Sequence, residues 1–140
     1  MLQLAMVTLV VPDYDDGLAF FVGLLGFHVV EDTFVGTGKR WVVMAPEGGA
    51  ASLLLAPAVT DEQRAHIGQQ TGGRRPFFLQ TDDFDAEHHR LIRAGVAFRE
   101  APRNEPYGRV VVFRDPFGNL WDLIGPRATE PAAPRKRACT

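Results

Sequence analysis

The 140-residue sequence predicts an α+β fold built from two tandem βαβββ modules. Three observations carry this. Strand-like apolar runs alternate with short helical patterns, the order strand, helix, three strands occurs twice, and the cap and turn residues of the two copies keep a nearly constant spacing. Asp13 and Asp83 lie 70 residues apart, Gly26 and Gly95 69, Arg40 and Arg109 69, Pro46 and Pro116 70, and Gly48 and Gly118 70. Backbone geometry dictates residue type at caps, stops and turns, so shared spacing there argues for duplication better than scattered apolar matches.

Each element follows in order. Leu4 to Val11 is aliphatic or β-branched almost throughout and reads as a strand ended by Pro12. Asp13 is an N-cap, Asp15 and Asp16 suit the positive end of a helix dipole, Leu18, Phe21, Val22 and Leu25 share one helical face, and Gly26 is the stop. Phe27 to Asp32, Arg40 to Met44 and Ser52 to Leu55 complete the first module, with Gly-containing turns between them. Thr60 and Gln63 form a capping-box pattern that opens a short helix, and polar residues follow to Gly72-Gly73. Phe77 to Thr81, a helix from Asp83 to Ala94 stopped by Gly95, then Val96 to Phe98, Arg109 to Phe113 and Leu120 to Ile124 repeat the order. The expected organisation is a single domain over 1–125, with modules at about 4–56 and 76–125 and a linker at 57–75. Residues 126–140, rich in Pro and Ala and without periodicity, read as a disordered tail whose Arg135-Lys136-Arg137 run is solvated.

Composition narrows the function classes. A net charge of -2 gives a phosphate backbone no electrostatic footing, so nucleic acid is not an expected partner. No apolar run approaches a membrane span, the single Cys139 cannot form an internal disulfide, and Met1 leads directly into strand sequence without an export signal. A cytoplasmic protein is the expectation. Elbow, phosphate-loop and clustered Cys/His motifs do not occur in the sequence.

Three stretches carry a resemblance to a known family: VTLVVPDYDDGLAFFVGLLGF, TDDFDAEHHRLIRAGVAF and, most tellingly, FRDPFGNLWDLI. Over residues 4 to 125 the chain resembles the vicinal-oxygen-chelate superfamily, which includes glyoxalase I, extradiol dioxygenases, fosfomycin-resistance enzymes and bleomycin-resistance proteins. The resemblance implies that each module curls a mixed sheet into half a cup, and that two modules complete a small-molecule cavity within one chain or across a dimer by exchange. It also implies metal ligands on the first and last strands of each module. Those positions fall here on Met6, Pro76, Leu54 and Asp122, of which only Asp122 offers a hard or borderline donor. A catalytic metal needs about three nitrogen, oxygen or thiolate ligands, so the expectation is no metal and no cofactor.

Strand alternation puts Asp122 on the face of Leu120 and Ile124, opposite Trp121, and that face should line the cup. A carboxylate there needs a cation or hydrogen bonds to offset desolvation, and failing those it is a candidate acid or base. Arg40 and Arg109, equivalent residues of the two modules, are the expected partners, and an ordinary structural salt bridge is the competing explanation. By the same alternation Thr8 shares the face of Met6, and Gln80 that of Phe78 and Pro76. A few polar groups among apolar walls suit a small-molecule pocket, although buried Thr and Gln often only satisfy backbone. Trp41, Phe77, Phe113 and Trp121 add aromatic weight, with core packing the default for each. His88 and His89 read as solvated helix surface, and Tyr107 as a loop residue near the cavity.

Two functions fit. One is a metal-free, homodimeric binding protein, similar in role to bleomycin-resistance proteins, that sequesters an apolar or aromatic molecule through Met6, Thr8, Arg40, Leu54, Phe78, Gln80, Arg109 and Asp122. The alternative is a lyase, isomerase or dioxygenase of the same superfamily that uses Asp122 as acid/base or an atypical metal site.

Overall fold

Strand β1 (Met6–Val11) leads through Pro12 into helix α1 (Tyr14–Leu18), capped as expected by Asp13, whose Oδ1 accepts the Asp16 amide at 2.7 Å. The computed structural model describes residues 1–49 and 51–127, so most of the predicted tail, with Arg135-Lys136-Arg137 and Cys139, lies outside the described residues. After one turn the helix widens into a π-helical segment, Ala19–Leu24, with the Leu25 amide donating to the Phe20 carbonyl five residues back. This changes the predicted face. The wider winding buries Phe20 together with Phe21 and Leu25, while Val22 is only half-buried.

Strands β2 (His28–Gly36), β3 (Lys39–Ala45) and β4 (Ser52–Pro57) complete the first module in the order β1-β4-β3-β2, with β1 and β4 parallel and the rest antiparallel. Helix α2 (Asp61–Ala65) forms the predicted capping box between Thr60 and Gln63. The Gln70 side chain then caps the open edge of β1, accepting from the Val10 amide and donating to the Thr8 carbonyl, both at 2.8 Å. Gly68 lies so close to the Phe117 carbonyl that a Cβ there would collide with backbone.

The second module repeats the pattern with β5 (Phe77–Gln80), α3 (Phe84–Ala94), β6 (Ala97–Phe98), β7 (Arg103–Glu105), β8 (Gly108–Arg114) and β9 (Leu120–Gly125). Its order is β5-β9-β8-β6, with β7 also paired to β8. β6 and β7 together stand where the first module has the continuous β2. Pro102 lies between them and has no amide to donate, so the edge breaks into two short pieces. β7 had not been expected from the sequence. Asp83 caps α3, and Gly95 ends it at φ 93, a left-handed conformation that favours glycine.

One core joins both modules. Leu9, Val11, Phe21, Val42, Met44 and Leu55 of the first belong to the same buried cluster as Phe84, Leu91, Val111, Phe113, Trp121 and Leu123 of the second. Phe21 and Phe27 lie 5.4 and 6.3 Å from the Trp121 ring, and Arg90 on α3 donates to the Leu25 carbonyl at 2.9 Å. The helix-covered faces of the two sheets therefore turn toward one another, and their other faces turn outward.

The turn between β8 and β9 is tied by one carboxylate. Asp115, 1% exposed, accepts from the Phe117 and Asn119 amides through Oδ1 and from the Asn119 side chain and Trp121 indole through Oδ2, at 2.9–3.0 Å. Removing it orphans several buried donors at once, so Asp115→Ala should lower the unfolding free energy by about 3 kcal/mol, read from urea denaturation.

His88 departs from the expected solvated surface. It is half-buried between Phe84 and Phe98, whose rings are 5.6 and 4.7 Å away. Desolvation first, then the charges of His89 and Arg109, hold its pKa below 6.5, against a smaller opposing effect of Asp85. A group whose folded pKa is depressed binds its proton more readily in the unfolded chain. Its contribution to stability is therefore present above pH 6.5 and is lost as pH falls below that value. Comparison of urea midpoints at about pH 7.5 and about pH 5.5 should show a steeper loss for the wild type than for His88→Leu, which has no proton to take up.

Candidate ligand-binding site

Strand register assigns every predicted site residue to a face. On the first sheet Leu9, Val11, Val42, Met44 and Leu55 enter the core, so Met6, Thr8, Leu54, Trp41 and Val43 take the opposite face. On the second, Trp121 and Leu123 enter the core with their register partners Phe77 and Leu79, so Phe78, Gln80, Asp122, Val110 and Val112 take the outer face. Each outer face has a buried centre and an exposed rim. Val43, Val110, Val112 and Asp122 are buried, whereas Thr8, Trp41, Phe78 and Gln80 are exposed. Leu54 and Met6 lie between these extremes. Each outer face therefore has a dry centre and a wetter margin.

Arg40 and Arg109 are not on those outer faces. Both sit on the helix-covered face and clamp their own module's first helix to its sheet. The Arg40 guanidinium lies 5.0 Å from the Tyr14 ring and pairs with Asp32 at 2.6 Å and Asp15 at 3.2 Å. Arg109 lies 5.1 Å from the Phe84 ring and 3.8 Å from Asp85. Hydrogen bonding to Arg40 holds the Asp32 carboxyl below its usual range, while Asp32 and then Asp15 raise the Arg40 pKa. Strand alternation explains the correction: Arg40 has the parity of Val42, and Arg109 that of Val111, both core residues.

The partner of Asp122 is instead Arg75, from the end of the linker. Its Nε lies 2.6 Å from Asp122 Oδ1, with side-chain exposures of 34% and 7%. Neither atom has an aligned hydrogen bond among the described residues, so the contact is an ion contact off the N–H axis. Sequence reasoning missed Arg75 because it stands outside the strand. A signal was present in its position directly before Pro76, which favours extended backbone at the entry to β5, but alternation alone would have aimed the side chain toward the core.

Between the modules runs a groove of about 710 Å³ whose walls include Val7, Ser52, Leu53, Phe77, Phe78 and Gln80. Its size falls in the range of about 300–1,000 Å³ usual for small-ligand pockets. Phe78 and Gln80 thus meet first-module residues across the seam. Met6, Thr8 and Leu54 share the first module's outer face, apart from Asp122 on the second module's. Tyr107 is exposed in the turn between β7 and β8.

The residues at the family's ligand positions do not fit a chelated metal. Met6, Leu54, Pro76 and Asp122 offer one carboxylate, already in contact with a cation, and one weak thioether. Among the described residues, no three His, Cys, Asp or Glu side chains converge. No described helix is long and apolar enough to cross a membrane.

Comparison with known proteins agrees with this architecture. The sequence profile described as Glyoxalase/Bleomycin resistance protein/Dioxygenase superfamily matches residues 3–123. An uncharacterised protein of Shewanella frigidimarina (strain NCIMB 400) is 47% identical over 120 residues, covering 84% of this chain and 89% of its own length. Among solved structures, UcmS2 superposes with a TM-score of 0.76 at 29% identity, covering 89% of this chain and 98% of its own. TnmS3, described as an antibiotic binding protein from Streptomyces sp. CB03234, superposes with a TM-score of 0.72 at 32% identity, covering 90% and 97% respectively.

Proposed function

Since the chain belongs to the Glyoxalase/Bleomycin resistance protein/Dioxygenase superfamily, we propose that it is a metal-free cytoplasmic binding protein that sequesters a small apolar or aromatic molecule. The cup is completed by a second copy of the chain. The carrying observation is the profile of the outer faces, buried and apart from Asp122 apolar at the centre, with exposed Trp41 and Phe78 at the margin. These two faces point away from the shared core, so neither can roof the other within one chain. A second copy, turned about a two-fold axis, can lay its first-module face over the second-module face of its neighbour and bury both. The antibiotic-binding description of TnmS3 supports a binding role for a scaffold of this kind, and the poor donor set argues for binding without a metal.

Asp122 favours binding over acid/base chemistry, because its carboxylate is already engaged by a guanidinium. Ligands would meet Leu54, Met6 and Thr8 on one wall and Phe78, Gln80 and Asp122 on the other.

Sedimentation analysis should find a dimer, and titration with naphthalene, followed by its own fluorescence, should saturate. Leu54→Lys, which puts an ammonium among the apolar walls, should weaken uptake by at least about tenfold while leaving circular dichroism unchanged. A monomer that takes up no naphthalene would overturn the proposal.

A further inference from the structure

We infer that the seam between the modules holds a second site, apart from the cup, for an amphipathic cation: an amine carried on an apolar tail.

One cleft with two unlike ends carries this. The groove of about 710 Å³ continues into another of about 370 Å³, and Phe27, Pro46, Glu47, Leu79 and Gln80 line both. Every residue from Pro76 to Asp82 lines one groove or the other, a stretch of about 20 Å at the usual strand rise. Most of its apolar walls are core-side. Val7 and Leu53 have the parity of Leu9 and Leu55, while Phe27 and Trp121 belong to the shared core and Phe77 and Leu79 pack on it. Phe78 and Gln80 border the cleft from the edge strand β5. The shared core is thus open at this end of the seam, and one chain alone supplies both walls.

The polar end sets the charge of the occupant. Glu47, Asp82, Glu87 and Arg90 line it. Arg90 is already engaged, donating to Glu87 at 2.7 Å and to the Leu25 carbonyl at 2.9 Å. The positive end of α3 is served by Asp83, whose side chain accepts the Ala86 amide. Among the described residues Asp82 pairs with no cation. Glu47 meets His28 at 3.5 Å, a contact that carries charge only while His28 is protonated. Arg75, beside Pro76 at the apolar end, is held at Asp122. Two carboxylates, Glu47 and Asp82, therefore stand without a fixed counter-charge at one end of an otherwise apolar cleft. An ammonium beside them, with its tail running toward Phe77 and Trp121, suits both ends, whereas an anion would be repelled.

The test uses the full-length protein carrying Trp41→Phe, so that Trp121, which lines the apolar end, is the one tryptophan left. Titrations at low salt and about pH 8, above the ordinary histidine range, compare 4-phenylbutylamine, 4-phenylbutanol and 4-phenylbutanoate through Trp121 emission. The amine should bind about fivefold more tightly than the alcohol, since two exposed charge pairs each contribute modestly, and the carboxylate more weakly than either. Glu47→Gln with Asp82→Asn should bring the amine to the affinity of the alcohol. Asp61→Asn with Glu62→Gln removes the same charge from α2, outside both grooves, and should keep the amine preference. Trp121 emission that no compound shifts, an amine bound no more tightly than the alcohol, or a preference that both double variants abolish alike would overturn the inference. Amine affinity that falls as protein concentration rises would give the cleft to a second copy and overturn it as well. None of these outcomes decides naphthalene uptake by the cup, which is measured separately.

Discussion

Trp121 is the constraint on which both the fold and the site depend. Its ring stacks on Phe77 at 4.4 Å and on Phe113 at 5.9 Å, and it meets Phe21 of the other module at 5.4 Å. Its indole N–H donates to Asp115, the residue that ties the turn before it. A large aromatic side chain fixed at so many points admits one strand register. Because successive strand residues point to opposite faces, locking Trp121 into the core forces Asp122 outward. The carboxylate is thus held on the outer face by its neighbour's packing, and its contact with Arg75 follows from that.

The duplicated architecture keeps its scaffold and varies its floor. Arg40 over Tyr14 beside Asp15 in the first module matches Arg109 over Phe84 beside Asp85 in the second, a clamp of cation, aromatic ring and acid at the same place in each helix-to-sheet junction. On the outer faces the match breaks down. Leu54 stands on β4 of the first module and Asp122 on β9 of the second, each on the strand next to its module's first strand. The corresponding strands therefore carry hydrocarbon in the first module and a carboxylate in the second.

Much of this was legible in the sequence, for reasons particular residues make plain. Asp13, Asp83, Thr60 with Gln63, and Gly95 announced their caps and stops because helix ends demand those residue types. The parity of Trp121 and Asp122 announced their opposite faces. Equivalence between the modules does not mark Arg40 and Arg109 as partners of Asp122, because parity with Val42 and Val111 puts both on the helix side. Two features left no periodic signal at all. The π-helical widening at Ala19–Leu24 follows from how Phe20 and Phe21 pack against the second module, which no local pattern encodes. Arg75 lies in an aperiodic linker, so its contact with Asp122 was visible only in three dimensions.

Two carboxylates seven residues apart show two ways in which this fold holds a buried acid. Asp115 spends both oxygens on four nearby donors, closing a turn and leaving little for anything else, as a group retained for stability should. Asp122 is nearly as buried, but its Oδ1 touches one cation, Arg75, off the hydrogen-bonding axis. With the Arg75 side chain 34% exposed, a pair of that kind adds little to stability, because solvent screens the cation while the carboxylate is desolvated. Val110 and Val112 show that the surrounding floor is otherwise built from hydrocarbon. Stability alone would favour continuing that hydrocarbon through position 122.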